Sequence, residues 1–313
     1  MTPQWGAAVN EVFADFMMEL GARDRDVYYV VSDGNIAGMQ EFEKSYPDRF
    51  VNVGIAEQNA VSMAFGICST GKRVFLWNNV CFLLYRPFDQ IRIDAAFTRA
   101  KIRLIGTSAG YTRGPDIAQA SVEDVAVMRA LPNMTVVCPG DLREMQALLP
   151  QIDEIDGPVY MRLPKDRSAL PVIHSADAQV TLGRAIEIFT GNDAVVICTG
   201  HALEEAHTWV SGWRQDGIDV GLISMHTIKP FDQEAIARLV RSSLPVVTIE
   251  EHSTIGGLGS AVAEAIAESG HGVPFLRVGV PDRHPHVAGD PHVVKKHMGM
   301  PGPEEVLAWI QRS

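Results

Sequence analysis

The chain has 313 residues, with 27 Lys and Arg against 38 Asp and Glu, for a formal net charge of −11. Apolar residues at 46% and charged residues at 21% exclude a mainly disordered chain. The acidic balance argues against nucleic acid or an anionic membrane as the main partner, because both reward a basic surface. At about 100–200 residues per domain, the length predicts two domains.

In chain order, short β-branched runs alternate with longer amphipathic stretches. Strands are expected at Val27–Val31, Val74–Trp77, Ile102–Gly106, Thr135–Cys138 and Val159–Arg162, with helices near Glu57–Thr70, Arg86–Arg99, Val122–Leu131 and Leu142–Ile152. The alternation lapses between Lys165 and Leu182, where Pro164 and Pro171 sit among short polar residues, and this is the predicted boundary. It resumes with strands at Ala194–Thr199, Val220–Ser224, Val246–Glu250 and Phe275–Val278. Helices are expected near Leu203–Gln215, Gln233–Arg241, Ser260–Glu268 and Pro303–Ile310. The fold class is therefore α/β: two successive three-layer α/β/α domains with mainly parallel sheets, residues 1–170 and 171–313. No run approaches the roughly 18–20 apolar residues of a membrane span, and Met1–Trp5 lacks the pattern of a signal peptide, so a cytoplasmic location is expected.

Several motifs invite chemistry. Cys68, Cys81, Cys138 and Cys198 each lie in an apolar run without a CxxC pair, which predicts buried reduced thiols. The Ser32-Asp33-Gly34-Asn35 stretch follows a strand and reads as a strand-end turn, with Asp33 retained as a candidate cofactor contact. Gly256-Gly257-Leu258-Gly259 precedes a helix whose free amides could hold an anion, but a tight strand-to-helix turn is the favoured reading of the glycines. His284, His286, His292 and His297 crowd a proline-rich stretch expected to be an irregular surface loop. Glu57 opens an apolar helix, where the helix dipole favours a carboxylate.

The run Phe50-Val51-Asn52-Val53-Gly54-Ile55-Ala56-Glu57-Gln58-Asn59 resembles the signature of the transketolase family's pyrimidine-binding domain. Further matches follow in order: Phe82 with Phe88-Asp89-Gln90-Ile91-Arg92, then Glu123-Asp124 with Met128–Asn133, and Pro139-Gly140-Asp141. The second half continues through Thr227-Ile228-Lys229-Pro230, Glu250-Glu251-His252, Gly256–Ser260 and Gly279-Val280-Pro281-Asp282.

This resemblance implies the pyrimidine-binding and C-terminal domains of a thiamine-diphosphate enzyme. The diphosphate and Mg²⁺ ligands are expected on a separate N-terminal subunit, in an α₂β₂ assembly. Glu57 matches the family's catalytic glutamate, which hydrogen-bonds the pyrimidine N1′ and trades a proton with it, and Phe82 matches the ring that stacks on the pyrimidine. Among substrate contacts, Asp116 resembles a hydroxyl-binding aspartate and Arg162 a phosphate-binding arginine, while Arg113 is a candidate compensating cation. Ser108 stands where the family commonly has a histidine, and Asp116–Ser121 lacks a second one. All ten histidines lie at or beyond His174. The expected reaction is therefore transfer of a two-carbon ketol or acyl unit, from a ketose or 2-oxo donor to an aldehyde-like acceptor, with a non-standard substrate. Two alternatives remain open at this point: the β subunit of a 2-oxo acid dehydrogenase E1, and a non-catalytic partner subunit.

Overall fold

Strands that are apolar on both faces need helices above and below them. The computed structural model, which describes residues 4–34, 38–111, 119–165, 168–284, 286–287 and 289–313, has that arrangement twice. The first unit contains β1 (Gln4–Ala8), α1 (Val9–Arg23), β2 (Val27–Val31), α2 (Gln40–Ser45), β3 (Phe50–Asn52), α3 (Glu57–Cys68) and β4 (Arg73–Asn79). It continues with α4 (Phe88–Gln90), β5 (Ile102–Thr107), α5 (Asp124–Ala130), β6 (Thr135–Val137), α6 (Leu142–Asp153), β7 (Val159–Arg162) and β8 (Ala169–Val172). The second unit contains β9 (Ile186–Phe189), β10 (Ala194–Cys198), α7 (Ala202–Gln215), β11 (Val220–Ser224), β12 (Thr227–Lys229) and α8 (Gln233–Ser242). β13 (Val246–Ser253), α9 (Leu258–Glu268), β14 (Phe275–Val280), α10 (Pro291–Met298) and α11 (Pro303–Ile310) complete it.

The first sheet has the order β12-β6-β7-β5-β4-β2-β3, and all its pairs are parallel except β12 with β6. The second has the order β14-β13-β10-β11-β9, with only β9 antiparallel. The two α/β domains are thus present, but β12 belongs to the second by chain order and to the first by pairing.

Three local expectations differ. α1 lies outside the expected elements, yet Val9, Val12, Phe13, Met17 and Leu20 line one helical face and are buried. The helix expected over Arg86–Arg99 is instead α4 between two π-helical turns, Cys81–Tyr85 and Ile91–Phe97. The histidine-rich stretch is not wholly irregular, because it contains α10. There Asp290 accepts the His292 amide at 2.9 Å, Pro291 occupies the first turn, and Gly299 ends the helix at φ 64°.

The domains share a core, since one apolar cluster includes Leu104, Cys138 and Tyr160 together with Ile197, Ile223 and Met225. A buried polar knot lies at the same junction. Asp141 caps α6 through the Glu144 amide at 2.8 Å, and its other oxygen accepts the amides of Ile173 and His174. Glu144 bonds His174 Nε2 at 2.8 Å and also accepts the Ser224 hydroxyl. Burial works against the Glu144 charge, but His174 reverses the balance and lowers the carboxyl pKa. Burial likewise opposes charge on His174, but the hydrogen bond to Glu144 and the charges of Glu144 and Asp141 together outweigh it, raising the imidazole pKa.

Candidate functional site

In an open parallel sheet, ligands collect at the carboxyl ends of strands where the winding direction reverses. Here the chain runs from β2 outward to β3, then returns to the other side of β2 as β4, so the reversal lies between β2 and β4. The residues just past those strand ends form a polar network. Asn78 donates to the Ser32 hydroxyl across the crevice. The Asn52 side chain accepts the amides of Asp33 at 3.1 Å and Gly54 at 2.9 Å, and donates to the Asp33 carbonyl at 2.9 Å. Those bonds hold Asp33 at φ 75°, with its side chain at an exposed position.

Ser108 lies in the same crevice at φ 59°. Its hydroxyl and that of Thr107 both donate to Asn79 Oδ1 at 3.3 Å, and Asn79 Nδ2 reaches Gln119 Oε1 at 3.5 Å. Every side chain in this set is neutral. Asn79 and Gln119 escape the sequence reading because their contacts span 28 to 40 residues, which no local pattern encodes.

Glu57 is the first residue of α3 and is buried, with 7% of its surface exposed. Its Oε1 accepts an N–H from Arg86 at 2.7 Å. The Arg86 guanidinium also lies 4.4 Å from the centre of the Phe82 ring. A buried carboxylate and an aromatic face thus converge on one planar N–C–N group. That is the complementarity an aminopyrimidine ring requires, since it too presents a nitrogen edge and a flat face, so Glu57 and Phe82 fit the group that the sequence implies. Arg86 was absent from the expected site, although its spacing of four from Phe82 on a helical stretch was a usable signal.

Arg162 sits elsewhere. It is 5% exposed, donates to Asp124 Oδ2 at 2.8 Å and to the Glu251 carbonyl at 2.8 Å, and so ties the two domains together. Tyr160 donates to the same Asp124 oxygen at 2.5 Å. Burial opposes charge on Arg162, but the Asp124 charge and hydrogen bond, with Tyr160 and Cys138, together outweigh it and raise the guanidinium pKa. The phosphate contact expected of Arg162 therefore has no open surface to act from. Arg113 and Asp116 lie outside the described residues.

The amides at the turn into α9 are taken by the chain's own Glu250 carboxyl, whose pKa burial raises. Glu250 accepts the Leu258 and Gly259 amides at 2.7 and 2.8 Å, and a Cβ on Gly257 would lie 2.1 Å from its carboxylate. The four cysteines are free thiols, three of them buried, and burial pushes Cys138 up to about 12. The bend before α3, α3 itself and the Ile91–Phe97 turn expose Ile55, Met63, Ile93 and Phe97, with Ile55 75% and Phe97 78% exposed. No helix among the described residues is long and apolar enough to cross a membrane.

Residues 4–169 match the family described as "Transketolase, pyrimidine binding domain", and residues 183–305 match "Transketolase, C-terminal domain". The chain belongs to the transketolase family. It is 33% identical over 297 residues to one of the subunits of an apulose-4-phosphate transketolase from Phocaeicola vulgatus, covering 94% of this chain and 93% of that one. It is 34% identical over 302 residues to a 6-deoxy-6-sulfo-D-fructose transketolase subunit from a Clostridium species, covering 96% and 92%. Among solved structures, "Split gene transketolase, inactive beta4 tetramer" superposes with a TM-score of 0.87 at 32% identity, covering 98% of each chain. This transketolase-family chain thus aligns with separate subunits along nearly their whole length.

Proposed function

We propose that this chain is the pyrimidine-binding subunit of a two-chain, thiamine-diphosphate-dependent transketolase. The observation that carries this reading is the buried Glu57 carboxylate facing the Phe82 ring, with a flat nitrogen-bearing group held between them. When bound, thiamine diphosphate supplies the carbon nucleophile and electron sink for breaking and making the carbon–carbon bond. Glu57 would hold and exchange the proton at ring nitrogen N1′, and its burial keeps water from competing for that proton. Phe82 would fix the plane of the ring. Asp33, at the end of β2, borders the same crevice as a further cofactor contact.

A separate chain would carry the diphosphate and Mg²⁺ ligands and dock on the apolar face made by Ile55, Met63, Ile93 and Phe97, in an α₂β₂ assembly. An exposed apolar patch beside a half-built site is what such docking requires. Similarity to a split-gene transketolase supports a separate partner chain.

The substrate class follows from two sides. The similar subunits are named for an apulose 4-phosphate and for a fructose carrying a 6-sulfo group, which favours an anionic ketose as donor. Asn79, Thr107, Ser108 and Gln119 would contact its hydroxyls in place of the histidines that the first domain lacks. Reconstitution with the partner chain, thiamine diphosphate and Mg²⁺ should give two-carbon transfer from a phosphorylated or sulfonated ketose to an aldehyde. Turnover with no lipoyl protein present separates this from an E1 β subunit. Activity unchanged in Glu57→Gln would leave only the non-catalytic partner.

A further inference from the structure

Glu57 and Phe82 are satisfied in the single chain by one side chain, Arg86. We infer that Arg86 is an internal stand-in for the aminopyrimidine ring, so that arginine and cofactor exclude each other from the Glu57–Phe82 site. The inference rests on the thiamine reading above and extends it to how the site is kept and opened.

Three features support it. First, the geometry is doubly exclusive. Glu57 Oε1 takes its N–H from Arg86 at 2.7 Å, and the Phe82 ring is covered by the same guanidinium at 4.4 Å. A ring that needs the position at Oε1 and the face of Phe82 on which the guanidinium lies cannot enter while Arg86 holds both. Second, the chemistry matches. A guanidinium presents a planar N–C–N edge with N–H donors and stacks on aromatic faces, which is how an aminopyrimidine would be recognised. Third, the pair is asymmetric. The Glu57 side chain is 8% exposed and the Arg86 side chain 50% exposed. The carboxylate cannot move into water and is costly to leave unpaired, whereas the arginine is already half in solvent. Arg86 also follows the π-helical turn Cys81–Tyr85 and precedes Pro87, where the backbone departs from regular helix geometry.

The consequence is a cofactor affinity reduced by the fraction of chains in which Arg86 occupies the site. Removing the side chain should therefore tighten binding, opposite to the effect of deleting an ordinary ligand. The test measures thiamine diphosphate affinity by calorimetry with Mg²⁺ on the assembled two-chain enzyme, comparing the unaltered chain with Arg86→Ala and Arg86→Gln. Arg86→Ala is expected to bind about tenfold more tightly, as for a site about nine-tenths self-occupied. Methylguanidinium at millimolar concentration should compete with the cofactor in Arg86→Ala and have little effect on the unaltered enzyme. Arg86→Gln, which keeps a neutral planar donor, guards against misfolding and should fall between the two. Unchanged or weaker binding in both variants, or no competition by methylguanidinium, overturns the inference and leaves the thiamine reading standing. Absence of thiamine diphosphate binding in every protein, with the complex folded, overturns both.

Discussion

At the domain junction, Arg162 is 5% exposed and divides its guanidinium between the Asp124 carboxylate and the Glu251 carbonyl, while Tyr160 donates to the same Asp124 oxygen. At the proposed cofactor site, Arg86 is half exposed and holds Glu57 through one hydrogen bond. Both sites pair a buried carboxylate with an arginine beside an aromatic ring. They differ in how many partners fix the arginine, and that separates a joint from a receptor. Charge at the junction is committed to architecture, whereas charge at Glu57 is held by a group able to leave.

Five experiments sharpen or break this contrast. The largest effect should come from Glu57→Gln in the assembled enzyme, where loss of proton exchange is expected to lower kcat by about 10²–10⁴-fold with no shift in the unfolding transition. A comparable loss of stability would move Glu57 into the architectural class. Arg162→Met should behave in the opposite way, leaving Asp124 buried without its cation and costing about 3–5 kcal/mol in urea unfolding.

Phe97→Asp and Ile55→Asp probe the apolar face. Each is expected to weaken association with the proposed partner by at least about tenfold, followed by sedimentation velocity, while leaving this chain's own unfolding unaltered.

A smaller effect concerns the His174–Glu144 pair, which also faces Asp141 and His226. The His174 pKa is raised from 6.5, so its contribution is complete below 6.5 and is lost as pH rises through the raised value. The Glu144 pKa is lowered from 4.5, so its contribution is complete above 4.5 and is lost as pH falls through the lowered value. His226 is held neutral by burial, and its contribution is lost as pH falls below 6.5. Stability from this knot should therefore peak near pH 6.5, and His174→Gln should flatten the decline on the alkaline side in melts across pH. The smallest effect is that of Asp290→Ala, which removes the cap of α10 at a cost of about 1 kcal/mol.

The central strands were legible because each is a continuous apolar run, and Val27–Val31, Val159–Arg162 and Val220–Ser224 begin and end where the sequence places them. β3 and β12 were not, since three residues carry no periodicity and their pairing depends on strands distant in sequence. α10 was concealed by its prolines and histidines, although Asp290 and Gly299 were readable as caps. At the site, the family motif points to Glu57 and Phe82, while Arg86 contacts Glu57 across 29 residues. Arg162 was readable as an important cation, but its partners Asp124 and Glu251 come from elements that only the packed domains bring near it.

β12 gives the molecule a property that its two family matches conceal. Thr227 and Lys229 pair with Val137 and Val136, closing the side of the first sheet that would otherwise end at β6. A protein cut near residue 170 would leave that side raw, with unpaired amides and carbonyls offered to any passing strand. The two halves can be told apart by descent, but they share a sheet: a strand that follows the second domain's β11 in the chain is the terminal strand of the first domain's sheet.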